Sequence, residues 1–161
     1  YTDLPRALAA LRKGQTPYTP NVNLILALQA SLRLIEAEGL PQFQHRHRRL
    51  ARACRAAART AGLTLLAGDS CASDIVTAVV SPEGLDSSAL VKALRERHNI
   101  VISGGQDALK GKIFRIGHLG AVQISDLLRT WEALGKELGE LGHGCDLEAV
   151  LTELEDTYRG M

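Results

Sequence analysis

The chain has 161 residues, 45% hydrophobic and 23% charged, the size and composition of one compact globular domain rather than a disordered or fibrous chain. Lys and Arg number 19 against 18 Asp and Glu, and the formal charge of +1 excludes a bulk field that would recruit nucleic acid or anionic membrane. No apolar run approaches the roughly 20 residues of a membrane span, and no signal-peptide pattern opens the chain. Cys54, Cys71 and Cys145 are an odd number without CxxC spacing, so neither a disulfide framework nor a metal site is expected, and a reducing compartment, the cytoplasm, fits best. The first residue is Tyr1 rather than Met, which points to a piece of a longer polypeptide.

Asp3 to Leu11 reads as a short helix with Asp3 as cap and Pro5 in its first turn. QTPYTPN, residues 15–21, is an extended loop, because two prolines exclude helix and leave the Thr hydroxyls available. Leu24, Ile25, Leu28, Leu32 and Ile35 recur at helical spacing from Val22 to Glu38, and Gly39 stops the run. From Pro41 to Gly62 a second long helix carries Leu50, Cys54, Ala57 and Ala61 on one face, with Arg48, Arg52, Arg55 and Arg59 opposite. Residues 63–67 and 75–80 are β-branched or apolar and read as strands. A helix capped by Asp86 or Ser87 runs to about His98, strands follow at 99–105 and 112–118, and helices at Ser125 to Leu141 and Asp146 to Tyr158 close the chain. This order predicts an α+β fold, a small and mostly antiparallel sheet covered by helices on one face. The other face would want a partner or the rest of a longer chain.

Among candidate sites, the arginine stripe of the second long helix could contact phosphates, but no aromatic residue interleaves with it. It reads better as a solvated face balanced by the eight acidic residues between Glu132 and Asp156. His45 and His47, two apart, point to different faces and suit no shared metal. Gly104, Gly105, Gly111, Gly117 and Gly120 cluster around two strands without P-loop order, a glycine-rich hairpin. Arg115 stands mid-strand between Phe114 and Ile116, where a guanidinium is costly unless a carboxylate meets it; an internal salt bridge and a ligand carboxylate both fit.

Three blocks in this order resemble the C-terminal part of the class V pyridoxal-phosphate aminotransferases, the group of the alanine-glyoxylate and serine-pyruvate enzymes. They are QTPYTPNVNLILALQASLRLIEAEGL at 15–40, the His47 helix followed by TAVVSPEGLD at 77–86, and GGQDALKGKIFRIGHLG at 104–120, the most specific of the three. The match runs from about Tyr1 to Leu141. It implies the C-terminal small domain of a fold-type I transferase: residues 1–21 as the end of the large domain with a phosphate-contacting loop, 22–141 as linking helix plus small domain, and 142–161 as a helical tail.

The resemblance also implies site roles. The arginine of the RIG motif, here Arg115, binds the α-carboxylate of the amino or 2-keto acid, a job suited to a planar fork. Gly104 and Gly105 let the backbone pass close to the substrate pocket. Thr19, with Thr16 as second candidate, reaches the phosphate of pyridoxal 5'-phosphate in the neighbouring subunit of a homodimer. The Schiff-base lysine, the acid on the pyridine nitrogen and the ring-stacking group lie upstream in the family, so no catalytic residue is expected here. Lys13, Lys92, Lys110, Lys112 and Lys136 do not stand in the family's cofactor-lysine context. The 161 residues alone are therefore expected to be inactive, the parent protein exchanging an amino group between an alanine- or serine-like amino acid and a glyoxylate- or pyruvate-like keto acid. The alternative is a non-catalytic interaction or regulatory module that keeps the small-domain fold. Some relatives carry a soluble-hydrogenase subunit label, for which three scattered cysteines supply no nickel or iron-sulfur ligand set.

Overall fold

The structure, a computed structural model, describes residues 2–160. It divides into two compact units, one ending at Phe43 and one starting at Gln44. In the first, α1 (Leu4–Leu11) is capped by the Asp3 carboxylate, which accepts the Arg6 N–H at 3.0 Å, with Pro5 in the first turn. The Arg6 guanidinium lies 4.8 Å from the centre of the Tyr18 ring. α2 (Val22–Glu38) is capped by Asn21 and ended by Gly39 at φ 87°. Its apolar positions Leu24, Ile25, Leu28 and Leu32 are all more than half exposed, so this helix closes no core of its own.

The second unit holds the core. α3 (Leu40–Thr60) enters it at Gln44, followed by β1 (Val76–Val80), α4 (Ser87–His98), β2 (Ser103–Gly104), β3 (Ile113–Gly117), α5 (Ile124–Glu140) and α6 (Leu147–Arg159). The sheet order is β1-β3-β2 and both pairings are antiparallel. Thus β3 is central, with Thr77 opposite Ile116 and Val79 opposite Phe114. These four side chains are buried and face the helices, where Phe114 and Ile116 join Leu50, Leu90, Leu127 and Trp131. α3 contributes the small face read from the sequence: Leu50, Cys54, Ala57 and Ala61 are all buried.

Two expected strands shorten. Residues 63–67 meet β1 through a single bridge, Leu65 to Val79, with hydrogen bonds from Leu66 N to the Ala78 carbonyl and from Val80 N to the Thr64 carbonyl. The run is bounded by Gly62 at φ 74° and by Gly68. Of 99–105 only Ser103 and Gly104 pair, because Asn99 takes the left-handed conformation that ends α4 and Gly105 turns the chain away into a 3₁₀ turn at Asp107–Leu109. At the start of α5, Asp126 reaches back to accept the Gln123 N–H at 2.8 Å, so Gln123 rather than Ser125 is the cap. In α6, Val150 and Leu154 are fully buried in the shared core.

Leu154→Ala is expected to destabilise the folded chain by about 2–5 kcal/mol through the cavity it leaves, measured by urea unfolding. A midpoint equal to wild type would mean that α6 does not pack as described.

Candidate functional site

Period-two alternation along β3 sends Phe114 and Ile116 into the core and Arg115 to the other sheet face, beside Ala78 of β1 and Ser103 of β2. Arg115 is half-buried, and its Nε and Nη2 both donate to the Gly104 carbonyl, at 3.1 and 2.9 Å. Among the described residues no carboxylate lies within ion-pair distance of it. The internal salt bridge allowed by the sequence is therefore absent among the described residues, and one edge of the guanidinium is oriented by backbone alone.

The turn beside it is tightly built. Gly105 donates its N–H to the Ile113 carbonyl at 3.0 Å, and a Cβ at this position would stand 2.0 Å from the Leu109 carbonyl oxygen, so no larger residue fits. Gly104 has open space where a side chain would be, which leaves the backbone bare next to the arginine fork. Arg115, Gly104 and Gly105 are thus brought together. Thr16 and Thr19 belong to the first unit, in the loop between α1 and α2, where both are exposed and neither hydroxyl has a hydrogen-bond partner among the described residues.

The segment after β3 is pinned by groups the sequence left unassigned. His118 is fully buried and its Nε2 lies 2.9 Å from Thr77 Oγ1 on β1. Two residues on, the Gly120 N–H donates to His47 Nε2 at 3.0 Å, while the Arg46 guanidinium donates to the carbonyls of Gly120 and Val122 at 3.0 and 2.8 Å. His47 is buried and His45 exposed, as their different faces require. The signal for His47 was its spacing, since it precedes Leu50, Cys54 and Ala57 at helical intervals on the apolar stripe. Burial pulls the His118 pKa down to about 4, helped by the charge of Arg55 and opposed by the carbonyls of Asp74 and of His118 itself.

The arginines of α3 find acids, but other ones than the sequence suggested. Arg59 grips both oxygens of Asp69 at 2.7 Å, Arg55 Nε lies 3.6 Å from the same carboxylate and Arg48 faces Asp74 at 3.7 Å. Both acids belong to the loop before β1, which folds back along the helix. The acids after Glu132 are engaged elsewhere: Glu137 pairs with His98 and Arg97, Glu140 with Arg97, and Glu132 with Lys136. Cys54 is buried in the core, where desolvation pushes its thiol up to about 11, whereas Cys71 is exposed and Cys145 half-buried.

The small antiparallel sheet with helices on one face is consistent with the C-terminal small domain of a PLP-dependent aminotransferase, the fold of the solved structures it resembles. No protein-family model matches the chain. It is 45% identical over 139 residues to serine-glyoxylate aminotransferase of Hyphomicrobium methylovorum, covering 82% of this chain and 34% of that protein. It is 46% identical over 143 residues to a protein of Synechococcus named soluble hydrogenase, small subunit, covering 89% of this chain and 37% of that one. The crystal structure of ureidoglycine-glyoxylate aminotransferase from Bacillus subtilis superposes with a TM-score of 0.85 at 29% identity, over 94% of this chain and 41% of that one. The chain belongs to the class V aminotransferases and corresponds to their C-terminal portion, spanning 34% to 41% of the length of these relatives.

Because His118 is neutral in the folded chain down to about pH 4 while the unfolded chain protonates it near 6.5, the unfolded state binds the extra proton between these values. Stability is expected to fall as pH drops from 6.5 to 4, by up to about 3 kcal/mol from this residue. His118→Gln should flatten that part of the curve. Denaturant unfolding at several pH values checks it, and an unchanged slope would remove His118 as the cause.

Proposed function

We propose that this chain supplies the substrate-carboxylate arginine of a pyridoxal 5'-phosphate-dependent aminotransferase, with Arg115 holding the α-carboxylate of both the amino acid and the 2-keto acid. The observation that carries the reading is a strand guanidinium turned away from the core and tied on one edge to the Gly104 carbonyl, with no carboxylate of its own among the described residues. Its remaining Nη1 edge can donate to an incoming carboxylate while the backbone contact keeps the plane from swinging. Such a fork fixes the orientation of the acid and so which bonds at the α-carbon are presented for reaction. Bare backbone at Gly104 and Gly105 leaves room for the substrate to approach.

Thr16 and Thr19 fit a phosphate as hydroxyl donors, because both are exposed, lack a partner among the described residues and stand in a loop stiffened by Pro17 and Pro20. In this reading Thr19, or else Thr16, would hold the phosphate of pyridoxal 5'-phosphate in a homodimeric full-length protein of the cytoplasm. When bound, the cofactor supplies the electron sink that makes proton removal from the α-carbon feasible. Residues 1–21 then end the large domain, 22–141 form linking helix and small domain, and 142–161 add a helical extension. The remainder of the protein contributes the cofactor lysine, so the 161 residues by themselves do not transaminate. Names of the relatives pair amino donors with glyoxylate or pyruvate, which supports a small amino acid of the alanine or serine type and a keto acid of that kind as substrates.

In the full-length protein Arg115→Ala is expected to weaken use of both substrates by about 1.5–3 kcal/mol, roughly ten- to a hundredfold in kcat/KM. Cofactor uptake, read from visible absorbance, should be preserved. Arg115→Lys should not restore the rate, since a point charge cannot reproduce the fork. Unchanged kinetics for both substrates would refute the role. Covalent uptake of pyridoxal 5'-phosphate by the 161-residue chain would refute the division of labour.

A further inference from the structure

Antiparallel pairing sets two side chains level with Arg115 on the uncovered face of the sheet, Ala78 of β1 on one side and Ser103 of β2 on the other. Directly opposed residues hold their Cβ atoms about 4.5–5.5 Å apart, within reach of a long side chain. On the β1 side the diagonal neighbours are Val76 and Val80, so that flank is wholly apolar. Ser103 is the one polar side chain among these positions.

The guanidinium leans toward that serine. Its Nε and Nη2 both donate to the carbonyl of Gly104, the residue next to Ser103 on the edge strand, and this draws the charged end across β2 and away from the valines of β1. Ser103 is exposed, and its hydroxyl has no hydrogen-bond partner among the described residues. A free O–H donor therefore stands beside a fork whose Nη1 edge is also free to donate. A carboxylate has about four acceptor positions on its two oxygens, and one guanidinium edge fills about two of them, so a bound acid still has room for a hydroxyl donor.

We propose that Ser103 is a further substrate-binding residue, whose Oγ–H donates to the same α-carboxylate that Arg115 holds. The proposal rests on the reading of Arg115 as the carboxylate holder and adds to it a donor from a second strand. With β2 and β3 each contributing a donor, the acid is fixed against rotation about the fork, and its α-carbon is presented in one orientation. Because Ser103 is exposed at the margin of the sheet and joined to no other described side chain, its hydroxyl contributes to ligand binding and not to the fold.

Steady-state kinetics of the full-length protein, together with competitive inhibition by propionate, a carboxylate without an amino group, test the contact. Ser103→Ala is expected to raise the propionate inhibition constant and the KM of both substrates about three- to tenfold, with kcat and the thermal midpoint unchanged. Ser103→Thr, which keeps the hydroxyl, should stay within about twofold of wild type. In an Arg115→Ala background the change Ser103→Ala should add less than about twofold, since no carboxylate is then held beside the hydroxyl. Propionate affinity and KM equal to wild type in Ser103→Ala, while Arg115→Ala weakens both, would overturn the proposal and leave the reading of Arg115 standing. Propionate affinity unchanged in Arg115→Ala would overturn both. A lowered thermal midpoint in Ser103→Ala, or a Ser103→Thr variant as weak as Ser103→Ala, would assign the loss to the strand rather than to the hydroxyl and would likewise reject the contact.

Discussion

Everything in the second unit depends on β3 lying between two antiparallel partners. Once β1 and β2 take up its backbone groups, the strict two-residue alternation leaves its side chains no freedom of direction. Phe114 and Ile116 must enter the helical layer, and Arg115 must leave it. A slip of one residue would bury the guanidinium among Trp131 and Leu127 and expose the phenylalanine, so the hydrophobic pattern and the charge select the same register. The site is thus positioned by the same interaction that builds the core.

Around that strand, polar contacts take over where the apolar layer ends. Buried His118 reaches Thr77, and His47 accepts the backbone N–H of Gly120 with its Nε2. Both rings sit at the exit of β3, where the chain must turn before α5 can begin. On the far side of the core, Glu137 is almost fully buried yet joined by His98 at 2.7 Å and Arg97 at 3.1 Å, tying the end of α4 to α5. These buried side chains thus fasten one element to another, and the helices are not held by grease alone.

Much of this was legible in the sequence. The cap Asp3 and the stop at Gly39 followed from local chemistry, the cap of α4 was narrowed to Asp86 or Ser87 and proves to be Asp86, and the apolar positions of α3 followed from spacing. Arg115 stood out because a charge in an apolar strand demands an explanation. What could not be read was long-range pairing. Asp69 is ten residues from Arg59 but meets it only because the loop before β1 doubles back, and Gly120 is 73 residues from His47. Residues 63–67 had the composition of a strand, but composition says nothing of how many partner residues will be alongside. Nor does periodicity reveal that the apolar stripe of α2 stays exposed while that of α3 is covered.

The brevity of β2 has an effect of its own. A sheet whose one margin is two residues long, one of them glycine, offers almost no row of free amides for another chain to add to. At the opposite margin residues 64–66 already take up two of the groups on β1. Encounters between copies are thereby steered away from strand addition, the route to fibrous aggregates, and any association must proceed through side-chain surfaces, which can be specific and reversible.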